Sequence, residues 1–213
     1  MSFVDRIQRF NRDRKWRMFT AEFQPQDHLR IIDVGFTDKE FSPSDNYLEK
    51  HYPYPHMITA LSVEEPRHFR AQYPQVTALS YDGKHIPFGD DSFDVCWSNA
   101  VIEHVGDSAA QLQFLKELMR TGKAVFLTTP NRYFPIEVHT RTPLLHYLPK
   151  PAFDRYLRWV RKSWATGGYM SLLSRSDIKR LLDLAGAKHR RIYSNRLFGF
   201  VLDFVIVIKK SDA

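Results

Sequence analysis

Apolar and polar positions along this chain fall into blocks whose period switches between that of strands and that of helices. Arg30-Ile31-Ile32-Asp33-Val34-Gly35, Met57-Ile58-Thr59-Ala60-Leu61-Ser62-Val63 and Phe93-Asp94-Val95-Cys96-Trp97-Ser98-Asn99 are short apolar runs bounded by turn residues. That is the pattern of strands buried on both faces. A shorter run, Leu79-Ser80-Tyr81, ends at Asp82, and Lys123-Ala124-Val125-Phe126-Leu127-Thr128-Thr129 is stopped by Pro130-Asn131. Helical spacing separates these runs. Phe3, Ile7, Phe10, Arg14 and Met18 share one face over residues 3–19, and Leu112, Leu115 and Met119 share one over 108–121, with Gly122 ending that helix. Ser42-Pro43-Ser44 reads as the start of a helix over 45–51, stopped by Pro53-Tyr54-Pro55. After Asn99 the chain turns into a helix through Ala100-Val101-Ile102-Glu103-His104-Val105. Strand alternating with helix predicts an α/β fold, and ligands in such sheets sit at the carboxyl ends of the strands.

The remainder follows the same grammar with one interruption. Residues 132–151 hold prolines, histidines and aromatics at spacings that fit no core element and are too apolar for a flexible linker. Phe153, Tyr156, Leu157, Val160 and Trp164 then follow helical spacing, and Gly167-Gly168 is a hinge-like break. Ser174 with Asp177 forms a capping box for a helix carrying Ile178, Leu181, Leu182 and Ala185, with Gly186 as its C-cap. Ile192-Tyr193 and residues 200–208 read as two closing strands. The expected organisation is a single domain over 1–213. It comprises a basic helix in 1–29, a core in 30–131, a lid insertion in 132–173, and a last helix and strands in 174–213.

Composition narrows the class. The 213 residues are 43% hydrophobic and 14% aromatic, which supports a full core and excludes disorder. No apolar run approaches the roughly 20 residues that span a bilayer, and the first residues are too charged for a signal peptide. The single cysteine, Cys96, excludes an internal disulfide and fits a reducing, cytoplasmic setting. A net charge of +7 admits nucleic acid, an anionic membrane or an acidic substrate as partners, beside a plainly basic surface. The helices over 3–19 and 150–162 carry much of it, so a weak contact with an anionic membrane surface is expected of them. Two histidines and a glutamate in 132–151 are irregularly spaced and predict no metal site.

Residues 79–105 carry a resemblance. Asp82, Pro87, Phe88, Asp90 or Asp91, Ser92, Phe93 and Asp94 are similar to the D-x-x-x-x-P-F-x-D-x-S-F-D segment of the class I S-adenosylmethionine-dependent methyltransferases, in particular the small-molecule, type 11-like group. The resemblance implies a Rossmann-like seven-stranded, mainly parallel sheet with helices on both faces and an antiparallel edge hairpin. It implies S-adenosylmethionine as cofactor and a small-molecule or lipid- or sugar-linked methyl acceptor, not a nucleic acid. It places Asp82 and Gly83 near the adenine, Ser98 and Asn99 near the methionine part, and Asp33 and Gly35 in motif one. Strand two of the family ends in an acid on the ribose, for which Glu64 is preferred over Glu65; the bland alternative is that both favour the next helix terminus.

Motif one departs from the family. Its usual form is V-L-D-V-G-x-G-x-G, whereas Phe36, Thr37, Asp38 and Lys39 stand where further glycines are expected. A side chain forced into a left-handed glycine site is strained, so a longer loop path is expected. The D-N-x-x-E-K-x-Y-P-Y-P pattern of residues 45–55 resembles that of related bacterial sequences and points to a subgroup variant. On the acceptor side His139 is the candidate base, with Glu137 behind it, and Asn131 and Arg141 are the candidate substrate contacts. Two other functions stay open: a non-catalytic binding or scaffold protein of this fold, suggested by the altered loop, and a nucleic-acid methyltransferase, suggested only by charge. Against the last, Ser98-Asn99-Ala100 stands where many such enzymes carry Asn-Pro-Pro-Tyr.

Overall fold

The computed structural model describes residues 3–137, 142–163, 166 and 170–210. The chain forms two compact units, one of residues 1–99 with 118–126 and the other of residues 100–117 with 127–213.

In the first unit, β1 (Ile31–Val34) is buried at all four positions and runs parallel to both β2 (Ile58–Ser62) and β4 (Phe93–Asn99). Strand β2 pairs in parallel with β3 (Thr77–Ser80). Helix α1 (Phe3–Phe23) runs four residues past the expected end at 19. The reason is packing: Phe19 is fully buried, edge-on to Trp97 at 4.9 Å and to Phe126 at 5.3 Å, and Phe23 continues the contact at 5.2 Å from Phe19. The helix is thus built into the core through its aromatic stripe, with Arg12 and Arg14 each burying a guanidinium nitrogen. Helix α2 is shorter than expected, Tyr47–His51, and the residues before it form a loop rather than a first turn. Helix α3 covers Arg67–Gln72.

Helix α4 (Ser108–Thr121) has the predicted bounds, but Gly122 opens β5 (Gly122–Pro130) instead of capping the helix. A Cβ there would meet Cys96 Sγ at 2.6 Å and the Ala124 carbonyl at 2.8 Å, so close strand packing explains the glycine. A 3-10 turn (Ile102–His104), not the expected α-helical turn, follows β4.

The second unit contains the two-stranded pair β6 (Ile136–Glu137) and β7 (Thr142–Pro143), then α5 (Lys150–Trp159) and α6 (Arg175–Leu184). The predicted capping box is present: Ser174 Oγ accepts the Asp177 amide while the Asp177 carboxylate accepts the Ser174 amide. The closing strands are longer than the sequence suggests. β8 (His189–Leu197) and β9 (Phe200–Lys209) form an antiparallel hairpin with a register shift at Asn195/Arg196. β8 alternates exposed and half-buried positions, an edge-strand pattern in which Arg190, Arg191 and Arg196 hide the strand signal. The full sheet has seven strands in the order β3-β2-β1-β4-β5-β9-β8. It is mainly parallel with an antiparallel hairpin at one edge, the predicted class.

Candidate cofactor-binding site

In the order β3-β2-β1-β4 the chain reverses direction across the sheet between β1 and β4. A doubly wound sheet opens its ligand crevice there, outside the carboxyl ends of the two strands. The residues at that point are Asp33, Val34 and Gly35 from β1 and Ser98 and Asn99 from β4. Asp33 is in register with Trp97, and Ser98 Oγ donates to the Val34 carbonyl at 3.0 Å, which locks the two strand ends together. Gly35 has φ 114°, a left-handed value that a glycine adopts freely, and its amide donates to the Leu61 carbonyl at 2.7 Å.

The loop after Gly35 is ordered by side chains in place of glycines. The Thr37 amide donates to Asn46 Oδ1 at 3.0 Å, and Asn46 Nδ2 donates back to the Thr37 carbonyl at 2.9 Å and to Glu40 at 3.2 Å. Asn46 itself sits in the left-handed region at φ 46°, which asparagine tolerates better than most residues. Asp45 accepts the amides of Phe41 and Ser42. Phe36 is buried against Phe69, with ring centroids 4.3 Å apart. Asp38 accepts the His68 and Phe69 amides and so caps α3; those amides and the His68 ring lower its pKa. Residues 36–39 therefore need no positive φ, and the path has changed as the missing glycines require.

The acids at the ends of β2 and β3 are tied into the same scaffold. Glu64 accepts the Asp38 amide at 2.7 Å, and Glu65 accepts from Ser80 Oγ at 3.0 Å. The α3 terminus is thus capped by Asp38 rather than by either glutamate. Asp82 is exposed, accepts the Lys84 and His85 amides, and has its pKa lowered by those two bonds. Gly83 follows at φ 77°, where a Cβ would stand 3.0 Å from Val63.

Two residues that sequence reasoning left out of the site, Glu49 and Lys15, interact with its residues Asp33 and Asn99. Glu49 of α2 and Asp33 are both 6% exposed, and their carboxyls interact directly. Burial pushes the Asp33 pKa well above the usual carboxylate value, and the Glu49 carboxyl adds to the rise; Arg12 of α1 partly offsets it. Burial raises the Glu49 pKa as well. Among the described residues no side chain other than Asp33 hydrogen-bonds the Glu49 carboxyl. Two ionised carboxylates offer only acceptors, so their contact favours a protonated form of the pair. Lys15, 5% exposed, extends from α1 to Asn99 Oδ1 at 3.4 Å. Next to these, Tyr47 donates to Asp13, and burial with that carboxylate pushes the phenol up to about 12. The only sequence signal for Glu49 was its place in the Asp45 pattern.

The acceptor-side candidates belong to the second unit. Asn131 Nδ2 donates to the Val201 carbonyl at 2.8 Å and its Oδ1 accepts the Tyr133 amide, so its amide fastens the end of β5 to β9. His139 and Arg141 lie outside the described residues, as do the side chains of Glu137 and His146. In the same unit Glu103 is fully buried, and one of its carboxylate oxygens accepts Thr129 Oγ1 at 3.0 Å.

Doubly wound topology with acids at or just after the ends of β1, β2 and β3 is the frame in which α/β sheets carry ligands. Residues 5–191 match the family profile described as "Methyltransferase domain", and the chain belongs to that family, the class I S-adenosylmethionine-dependent methyltransferases of the type 11-like group. It is 29% identical over 112 residues to dimethylglycine N-methyltransferase of Parasynechococcus marenigrum (strain WH8102), covering 49% of this chain and 40% of the relative. It is 29% identical over 108 residues to malonyl-[acyl-carrier protein] O-methyltransferase of Erwinia pyrifoliae, covering 50% and 39%. The matches thus span about two fifths of the length of these relatives. Among solved structures, the N-terminal domain of EvdMO1, crystallised in the presence of SAH and D-fucose, superposes with TM-score 0.57 at 19% identity, over 93% of this chain and 82% of that one.

Proposed function

We propose that this chain transfers a methyl group from S-adenosylmethionine to a small-molecule acceptor. The observation that carries the reading is the set of acids and the glycine at the adjoining carboxyl ends of β1, β2 and β3, in a chain of the methyltransferase family. The residues fit the cofactor on one specific point: the buried Glu49 carboxyl, with no described side-chain partner but the acid Asp33, suits a ligand that brings an ammonium. When bound, the cofactor supplies an activated methyl on a sulfonium, so the protein's work is orientation and exclusion of water. Asp33 and Glu49 accept from the amino end. Glu64, already anchored by the Asp38 amide, would accept the ribose hydroxyls, with Glu65 as its alternative. Asp82 and Gly83 hold the adenine, and Asn99 stands at the methionine side.

We assign 30–131 to the cofactor and 132–173 to the acceptor. His139 is the proposed base and Arg141 the partner of an acidic group, while Asn131 positions the start of their segment. The names of the relatives support a small acceptor, since one is a dimethylglycine N-methyltransferase and the other a malonyl-carrier O-methyltransferase. Transfer of tritium from methyl-labelled S-adenosylmethionine tests the reading against panels of N-methylated amino acids, small carboxylic acids, deoxy sugars, RNA and DNA. Labelling of a small molecule, reduced by His139→Ala without loss of S-adenosylhomocysteine binding, is expected. Labelling confined to nucleic acid overturns it.

A further inference from the structure

A buried carboxyl beside a second buried carboxyl is costly to ionise unless a cation arrives. Glu49 meets that description: it is 6% exposed, no described side chain other than Asp33 hydrogen-bonds its carboxyl, and Asp33 stands at the end of β1. We propose that Glu49 makes cofactor binding proton-coupled: the ligand's α-ammonium replaces the proton that Asp33 and Glu49 share, and that proton passes to solvent. The inference rests on the cofactor reading above and adds a residue from α2 that motif one does not supply.

The charges around the pair leave room for this exchange. Arg12 of α1 faces Asp33, and Lys50 of α2 favours ionisation of Glu49, whereas Glu40 of the loop opposes it. Lys50 is itself engaged with Glu40 at 2.8 Å. Tyr73, at the end of α3, lies in the field of Glu49 but donates to Glu40 at 2.5 Å. Apart from Asp33, no described side chain hydrogen-bonds the Glu49 oxygens, which leaves room for a cation brought by a ligand. Burial raises both carboxyl pKa values, which keeps the proton on the pair in the free protein at pH values where an exposed acid has lost it. The ligand's amine is charged below about pH 7.7. Between these limits binding releases a proton, and affinity climbs with pH by up to about tenfold per unit.

The test is calorimetric titration of the full chain with S-adenosylhomocysteine at pH 6–7, in buffers of different ionisation enthalpy. Wild type is expected to release protons on binding, up to one per ligand. 5′-Methylthioadenosine, which lacks the amino-acid end, is expected to bind with no release. Glu49→Gln abolishes release and flattens the pH slope of affinity, while Glu49→Asp, which keeps a second acid, retains both. Binding of S-adenosylhomocysteine to wild type with no proton exchange overturns the inference and leaves the cofactor reading intact. Undiminished release in Glu49→Gln, or equal release with methylthioadenosine, overturns it as well. No binding of either ligand by folded protein overturns the cofactor reading and this inference with it.

Discussion

Replacing Asn46 tests whether side chains have taken over the work of the missing glycines. Asn46 is 9% exposed and holds the loop after β1 through three hydrogen bonds: one from the Thr37 amide, one to the Thr37 carbonyl and one to Glu40. Each such bond contributes about 0.5–1.5 kcal/mol net. Asn46→Ala removes all three and also places an alanine at φ 46°, which costs about 1 kcal/mol more. Water reaches part of this loop and recovers some of the loss, so the expected destabilisation is about 2–4 kcal/mol. Asn46→Gly loses the same bonds but not the backbone penalty, and is expected to be on the order of 1 kcal/mol more stable than Asn46→Ala. Urea unfolding followed by circular dichroism, with unchanged m-values as the check on two-state behaviour, measures both. Helix α2 begins at the next residue and carries Glu49, so both variants are also expected to weaken S-adenosylhomocysteine binding. A cost below about 0.5 kcal/mol for Asn46→Ala, as at an ordinary surface site, refutes the reasoning. So does an Asn46→Gly variant less stable than Asn46→Ala.

Phe19→Ala is expected to cost about 3–5 kcal/mol in the same assay, because the ring is fully buried among Phe23, Trp97 and Phe126. A loss under about 1 kcal/mol would mean that α1 is a detachable basic helix rather than part of the core. The Asp33–Glu49 pair sets a pH trend in stability. Both folded pKa values are raised, so the pair's contribution is fully present below the unfolded values of about 3.9 and 4.3 and is lost as pH rises through the folded ones. In that window each proton lost costs about 1.4 kcal/mol per pH unit. Glu49→Gln is expected to flatten this decline, and unfolding curves of the two proteins that stay parallel from pH 5 to 8 would contradict it.

Elements whose signal is local were legible in the sequence. β4 and α4 have their predicted bounds because an unbroken apolar run and a regular apolar stripe each specify one period. The Ser174–Asp177 capping box was legible for the same reason, since its partners are three residues apart. The loop after Gly35 was legible only as a departure. Its replacement bonds join Thr37 to Asn46, Asp38 to His68, and Glu64 to Asp38, separations of up to 30 residues that no local pattern encodes. Gly122 read as a helix cap because a glycine after a helix usually is one. Its reason lies across the sheet at Cys96. Glu49 was hidden among polar neighbours on a short helix, and only the burial of Asp33 beside it gives it meaning.

Calorimetric titration with S-adenosylhomocysteine tests most directly the central claim, that a loop buttressed by Asn46, Asp38 and Asp45 still forms a cofactor site. Saturable one-to-one binding is predicted for wild type. Gly35→Arg is expected to abolish it, because an arginine at φ 114° strains the turn and fills the crevice. Asp82→Ala is expected to weaken it at the adenine end. Absence of binding to folded wild type, or affinity unchanged in both variants, would contradict the account.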